Sequence, residues 1–155
     1  MTDPLSVYAY TWQRTRVAEC PARIRVPVDT LPVIHAILAG RETEALLVLC
    51  LDAKNGVIGA EVVYTGNVSA SLVRVGELFR MAVRMNAAGL IVAHNHPSGD
   101  PTPSPDDLHL TAQALAAGRL LDIELLDHIV TGEGDTYVSL RDRGVAFDRA
   151  IHPSV

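Results

Sequence analysis

Two histidines one residue apart, His94 and His96, sit at the end of the apolar run Leu90-Ile91-Val92-Ala93. On an extended chain, side chains two apart share a face, so both imidazoles can point to one spot. That spot lies where a buried strand leaves the core, the usual place for a ligand site in an open α/β sheet. Two imidazoles at one point suit Zn²⁺, which takes histidine nitrogens at about 2.0–2.1 Å. A third ligand has to come from a nearby carboxylate, and Asp107 is the choice. Pro97, Pro101, Pro103 and Pro105 stiffen the return between them and reduce the entropy lost in holding a distant ligand. Three protein ligands leave a tetrahedral position for water, as in catalytic rather than structural zinc sites.

The same stretch has a plain structural reading. Ser104-Pro105-Asp106-Asp107 starts a helix well, with Ser at the N-cap, Pro at N1 and Asp at the capping-box position. The two readings are compatible, because a capped helix start presents Asp107 rigidly toward the strand end.

The spacing His94-x-His96-Pro97, six residues, Ser104-x-x-Asp107 resembles the metal motif of the JAMM (MPN-like) metallopeptidases. The wording "LIVAHNHPSGDPTPS" and "LLDHIVTG" resembles the bacterial RadC-like branch of that family from about Leu31 to Phe147. The resemblance implies an α/β fold: a single JAMM/MPN-like domain whose mixed β-sheet is flanked by helices, laid out like a cytidine deaminase. It implies that His94, His96 and Asp107 ligate Zn²⁺ and that Ser104 hydrogen-bonds the oxyanion. It also implies a glutamate upstream, at the start of a buried strand, that activates water. Glu44 in "ETEALLVLCLD" is the better match and Glu42 the runner-up; Glu61 and Glu77 fit less well. The activity implied is zinc-dependent hydrolysis of an amide bond in a peptide or isopeptide substrate.

Two departures stand against carrying the whole family description over. Where RadC-like proteins commonly have His-Pro-Arg-Glu, this chain has Arg74-Val75-Gly76-Glu77. Full-length relatives also bear an N-terminal helix-hairpin-helix module, which residues 1–30 are too short and too strand-like to form. The competing reading is a non-catalytic JAMM-like binding module associated with DNA-repair or DNA-processing assemblies. His-Asn-His here is not an HNH nuclease, whose named residues are dispersed. There is no H-E-x-x-H helix, and neither H-x-E nor P-C-x-x-C of the zinc deaminases is present. His128, beside Asp127, reads either as orienting part of the site or as a buried structural histidine. His35, His109 and His152 read as ordinary helix or tail residues.

The elements that position these residues follow from patterning. With 155 residues, 48% hydrophobic and 20% charged, the chain suits one domain with a real core. Residues 1–30 read as a strand-like extension and 31–150 as the domain. Within the extension, Val7 to Val26 alternates enough, through Tyr8, Tyr10 and Trp12, to predict one or two strands. Asp29 or Thr30 caps a helix through Leu38 that Gly40 ends. Ala45–Leu51, apolar on both faces, predicts a buried strand, with a turn at Asp52–Gly56 and a hairpin partner from Val57 to Tyr64. Gly76–Asn86 predicts a helix with Leu78, Phe79, Ala82 and Val83 on its apolar side. A further helix is predicted from Pro105 to about Ala117, then strands near Leu121–Val130 and Thr136–Leu140.

Charge and composition narrow the partners. Thirteen Lys and Arg against eighteen Asp and Glu give a net charge of -5. Duplex binders usually carry a basic excess, so nucleic acid is not favoured as a partner. No apolar run reaches the roughly 20 residues that cross a bilayer, and Met1-Thr2-Asp3-Pro4 lacks the features of a secretory signal. A soluble cytoplasmic protein is expected, with Cys20 and Cys50 as free thiols.

Overall fold

The computed structural model describes residues 9–67 and 72–147. A short 3₁₀ turn, Pro27–Thr30, leads into helix α1 (Leu31–Leu38). Strands β1 (Ala45–Leu51) and β2 (Val57–Thr65) follow, then helix α2 (Val75–Met85) and strand β3 (Gly89–Asn95). Helix α3 (Pro105–Leu121) and strands β4 (Glu124–Thr131) and β5 (Tyr137–Ser139) complete the domain.

The five strands form one sheet in the order β2-β1-β3-β4-β5. β3 and β4 are parallel, connected through α3, and the other neighbours are antiparallel, so the sheet is mixed as expected. Every residue of β1 and of β3 is buried. Alternation explains why both faces are apolar. Leu46, Val48 and Cys50 pack with Leu90 and Val92 under α2 and α3, including Leu78, Phe79 and Leu110. Leu47, Leu49 and Leu51 pack with Ile91 and Ala93 under Val33, Ile34 and Leu38 of α1. The sheet is covered on two sides, which is what continuous apolar strands require.

The β1–β2 hairpin turns where the sequence predicts. Asp52 Oδ1 accepts from the N–H groups of Lys54 (2.8 Å) and Gly56 (2.9 Å), and Asn55 takes the left-handed conformation at φ 62°. Short polar side chains that bond their own backbone are the ones that tolerate such a turn.

Several boundaries differ from the expectations. Among the described residues, 9–26 form no strand; Ile24 makes one backbone bond, to the Asn55 carbonyl (2.8 Å), and the rest finds no ladder to join. Alternation alone does not make a strand when Pro21 interrupts it and no strand pairs with it. Tyr8, Val7 and the preceding residues lie outside the described residues, as do residues 148–150 of the expected domain and His152. Asp29 caps the 3₁₀ turn, accepting from the N–H groups of Arg25 and Val26, while the Thr30 hydroxyl bonds back to the Pro27 carbonyl. On α2, Val83 is exposed and Met81 is buried in its stead. At about 100° per residue, Val83 lies about 140° from Leu78, past the edge of the buried stripe. α3 continues to Leu121, so the next strand starts at Glu124 rather than Leu121. Gly118 allows this continuation, because a Cβ there would lie 2.4 Å from the Ile123 carbonyl of the returning chain.

Candidate metal centre

His94 is the sixth residue of β3 and faces α3, the face of Leu90 and Val92. Asp107 is the third residue of α3. Its helix starts as predicted: the Ser104 N–H donates to Asp107 Oδ2 (2.7 Å), and Asp107 N–H donates to Ser104 Oγ (3.2 Å). This capping box leaves Asp107 Oδ1 free to meet His94 Nε2 at 3.2 Å. His96 lies just beyond β3. Its Nδ1 is 2.8 Å from the Asp100 carbonyl, its Nε2 is 3.0 Å from His94 Nε2, and Asp107 Oδ2 is 3.6 Å away.

His94, His96 and Asp107 are thus brought together as the sequence predicts, with ligand atoms all within 4.8 Å of one another. His94 and Asp107 are buried, and His96 is half-buried at the edge. The donor set fits a divalent cation. The Asp100 carbonyl can only accept, so a neutral His96 keeps its proton on Nδ1 and turns a bare Nε2 inward. Nitrogen and carboxylate donors in this number are those zinc takes. Burial alone would push Asp107 up, but the neighbouring His94 and then the Ser104 N–H outweigh it. The net effect holds the carboxyl well below the usual carboxylate range, ionised and fit to ligate.

Behind the cluster lies His128, fully buried on β4 beside β3, with Nε2 2.8 Å from His94 Nδ1. Its Nδ1 is 2.7 Å from the Thr111 hydroxyl, which is 2.6 Å from the Asp107 carbonyl. Burial, reinforced by the neighbouring His94, pushes His128 well below the ordinary imidazole range and keeps it neutral. The two sequence readings of His128, orienting and structural, describe the same contacts. In the sequence, Thr111 is marked only by being a hydroxyl one helical turn after the candidate ligand Asp107. Asp127 accepts from the His128 N–H, the Ser139 hydroxyl and the Arg141 N–H, tying β4 to β5 and the segment after it. Burial still raises its pKa above the ordinary value.

Glu44 is half-buried and immediately precedes β1, whereas Glu42 is exposed. Leu46 pairs with His94, and alternation carried back from Leu46 puts position 44 on that same face. Glu44 is not among the grouped ligand atoms. Glu61 lies on edge strand β2, bonded to Arg80 (2.6 Å), and Glu77 is on α2. His35 sits 3.6 Å from Asp135, and His109 is exposed on α3.

The cluster borders a groove of about 670 Å³ lined by Arg41, Asn95, His96, Pro97, Gly99 and Glu133, among others. A larger cavity of about 870 Å³, lined by Ala88, Arg119 and Glu124, lies at the opposite ends of β3 and β4, away from this chemistry.

Residues 24–145 match the sequence profile of a family described as "RadC-like JAB domain". The chain belongs to this family. The RadC-like JAB domain is 50% identical over 125 residues to a UPF0758 protein of Roseiflexus castenholzii, covering 81% of this chain and 53% of that one. It is 41% identical over 130 residues to a UPF0758 protein of Methanosarcina barkeri, covering 84% and 56%. A UPF0758 protein of Clostridium perfringens is 38% identical over 135 residues, covering 86% and 59%. The chain therefore spans about half the length of these curated relatives. Among the described residues no helix is long and apolar enough to cross a membrane.

Proposed function

We propose that this RadC-like JAB domain is a zinc-dependent hydrolase that cleaves an amide bond in a peptide or isopeptide, in the cytoplasm. The observation that supports it is the convergence of His94, His96 and Asp107 at the end of a buried strand, beside an open groove. A divalent zinc ion held by these residues supplies a Lewis acid and lowers the pKa of water toward about 7.

The chain's own residues do the rest. Glu44, beside the paired positions Leu46 and His94, takes up the proton of the attacking water and returns it to the leaving nitrogen. General acid–base work of this kind contributes about 10²–10⁴-fold. The Ser104 oxygen accepts from Asp107 N–H, which leaves its own proton to donate to the oxygen where negative charge builds.

The experiment combines metal stoichiometry on purified protein, before and after chelation, with an unbiased peptide and isopeptide library. About one zinc per chain, with cleavage lost on chelation and in Glu44→Gln, supports the reading. Stoichiometric zinc with no cleavage favours the metal-holding binding module. A steeply salt-dependent association with DNA assigns that module to nucleic acid.

A further inference from the structure

The contacts behind the cluster fix the direction of every hydrogen bond in a buried chain that begins and ends on metal-ligating residues. The carbonyl oxygen of Asp107 can only accept, so the Thr111 hydroxyl, 2.6 Å away, donates to it. That hydroxyl has one proton. Toward His128 Nδ1, at 2.7 Å, it can therefore only accept, and the proton between them belongs to His128. A neutral His128 protonated on Nδ1 has a bare Nε2, which lies 2.8 Å from His94 Nδ1. His94 must donate there, and its remaining nitrogen, Nε2, is the one that faces Asp107 Oδ1 at 3.2 Å and His96 Nε2 at 3.0 Å.

We propose that Thr111 and His128 are positioning residues that set the tautomer of His94, keeping its proton on Nδ1 and turning a bare Nε2 toward the metal. The chain also couples three elements, α3, β4 and β3. It starts at the backbone of Asp107, one helical turn before Thr111, crosses to β4 through His128 and ends on β3 at His94. Asp107 and His94 then meet again at the ligand side. A shift of α3 along the sheet breaks the relay and the ligand contact together. His96 reaches the same tautomer independently, through the Asp100 carbonyl. Outer partners of this kind commonly change metal affinity about 10–100-fold when removed.

This inference deepens the metal-centre reading, and the test separates the two. Long-range ¹H–¹⁵N spectra of the zinc-free protein at alkaline pH read which ring nitrogens are protonated. Zinc competition with a chromogenic chelator reads affinity for the metal alone. Protons on Nδ1 of both His94 and His128 are expected. Thr111→Val, which keeps shape and deletes the hydroxyl, weakens zinc binding about 10–100-fold, and Thr111→Ser restores it. His94 protonated on Nε2 with bare Nδ1 in the wild type overturns the proposal, as does wild-type zinc affinity in Thr111→Val. Should Thr111→Val fail to fold, the wild-type spectra decide alone. A wild type that takes up no zinc overturns the hydrolase reading, while the same spectra still decide the tautomer.

Discussion

The side-chain amide of Asn95 holds the peptide groups on either side of Glu44. Its Oδ1 accepts from Ala45 N–H at 2.8 Å, and its Nδ2 donates to the Thr43 carbonyl at 3.0 Å. The β1–β3 ladder ends at the pair Leu46 and His94, so this side chain continues the pairing where backbone partners run out. One residue between the two histidines thereby fixes the start of the strand that the proposed base immediately precedes.

Asn95→Ala leaves the Ala45 N–H buried without an acceptor, because Ala45 is wholly inaccessible. An orphaned buried donor costs about 1–3 kcal/mol, readable in urea unfolding. Turnover is expected to fall while zinc content stays at the wild-type level. Loss of zinc in this variant would assign Asn95 to the ligands instead of to the Glu44 backbone.

The ligand set makes a sharper prediction. His96→Ala and Asp107→Ala lose stoichiometric zinc, whereas Glu44→Gln keeps it. Zinc at about 100 times its dissociation constant stabilises the fold by about 2.7 kcal/mol. For a domain of this size that raises the thermal midpoint by roughly 5–10 °C. Full zinc occupancy in Asp107→Ala contradicts the assignment.

The elements that bring these residues together were legible where pattern and geometry coincide. The apolar runs Ala45–Leu51 and Leu90–Ala93 became central strands because each is buried on both faces. Asp107 was readable twice, as part of a helix cap and as a candidate ligand, and its carboxylate has one oxygen on the Ser104 N–H and the other beside His94 Nε2. The contacts of Asn95 were hidden, because its partners Thr43 and Ala45 lie fifty residues away and meet it only through strand pairing. The stretch ahead of Pro27 misled for the converse reason: alternation signals a strand only if a neighbour supplies the ladder.

The loop that carries the Asp100 carbonyl is docked through Gly132. A Cβ on Gly132 would lie 2.3 Å from the Gly99 carbonyl oxygen and 2.7 Å from Thr136 Oγ1. The Glu133 N–H donates to that same Gly99 carbonyl at 2.9 Å, and His96 N–H to Thr131 at 2.8 Å. Gly132→Ala is expected to cost about 1–3 kcal/mol by overpacking and to weaken zinc binding, since the displaced loop orients His96. Gly76→Ala, on α2 with open space around it, is the control and stabilises by up to about 1 kcal/mol. Unchanged zinc affinity in Gly132→Ala would separate the loop from the ligand.

Acid sensitivity is expected at the β1–β2 turn. The N–H groups of Gly56 and then Lys54 hold the Asp52 carboxyl below its ordinary value. A carboxylate with a depressed folded pKa adds stability above its unfolded value, about 3.9, and loses it as pH falls through the folded value. Asp52→Asn keeps an acceptor and removes the charge. The stability gap between wild type and this variant is therefore present near neutrality and closes in acid. A gap independent of pH would assign the turn's strength to shape alone.

The two thiols report on the whole sheet and, through it, on the metal. Cys50 lies in β1 with no exposure, and burial, with the charge of Glu61, pushes its thiol up to about 12. Cys20 is half-buried, outside any strand. Because the thiolate is the reactive form, an alkylating reagent is expected to modify Cys20 in the native protein and Cys50 only when β1 opens. β1 is the second strand of the sheet and packs on both layers, so that opening is global unfolding. A ligand bound only to the folded state reduces the unfolded population by its own saturation factor, about 100-fold at 100 times its dissociation constant. Zinc is thus expected to slow Cys50 modification by that factor in the wild type and to leave it unchanged in Asp107→Ala, followed by mass spectrometry. Rapid labelling of Cys50 without denaturant would contradict the burial of β1, and equal protection in Asp107→Ala would place the zinc elsewhere.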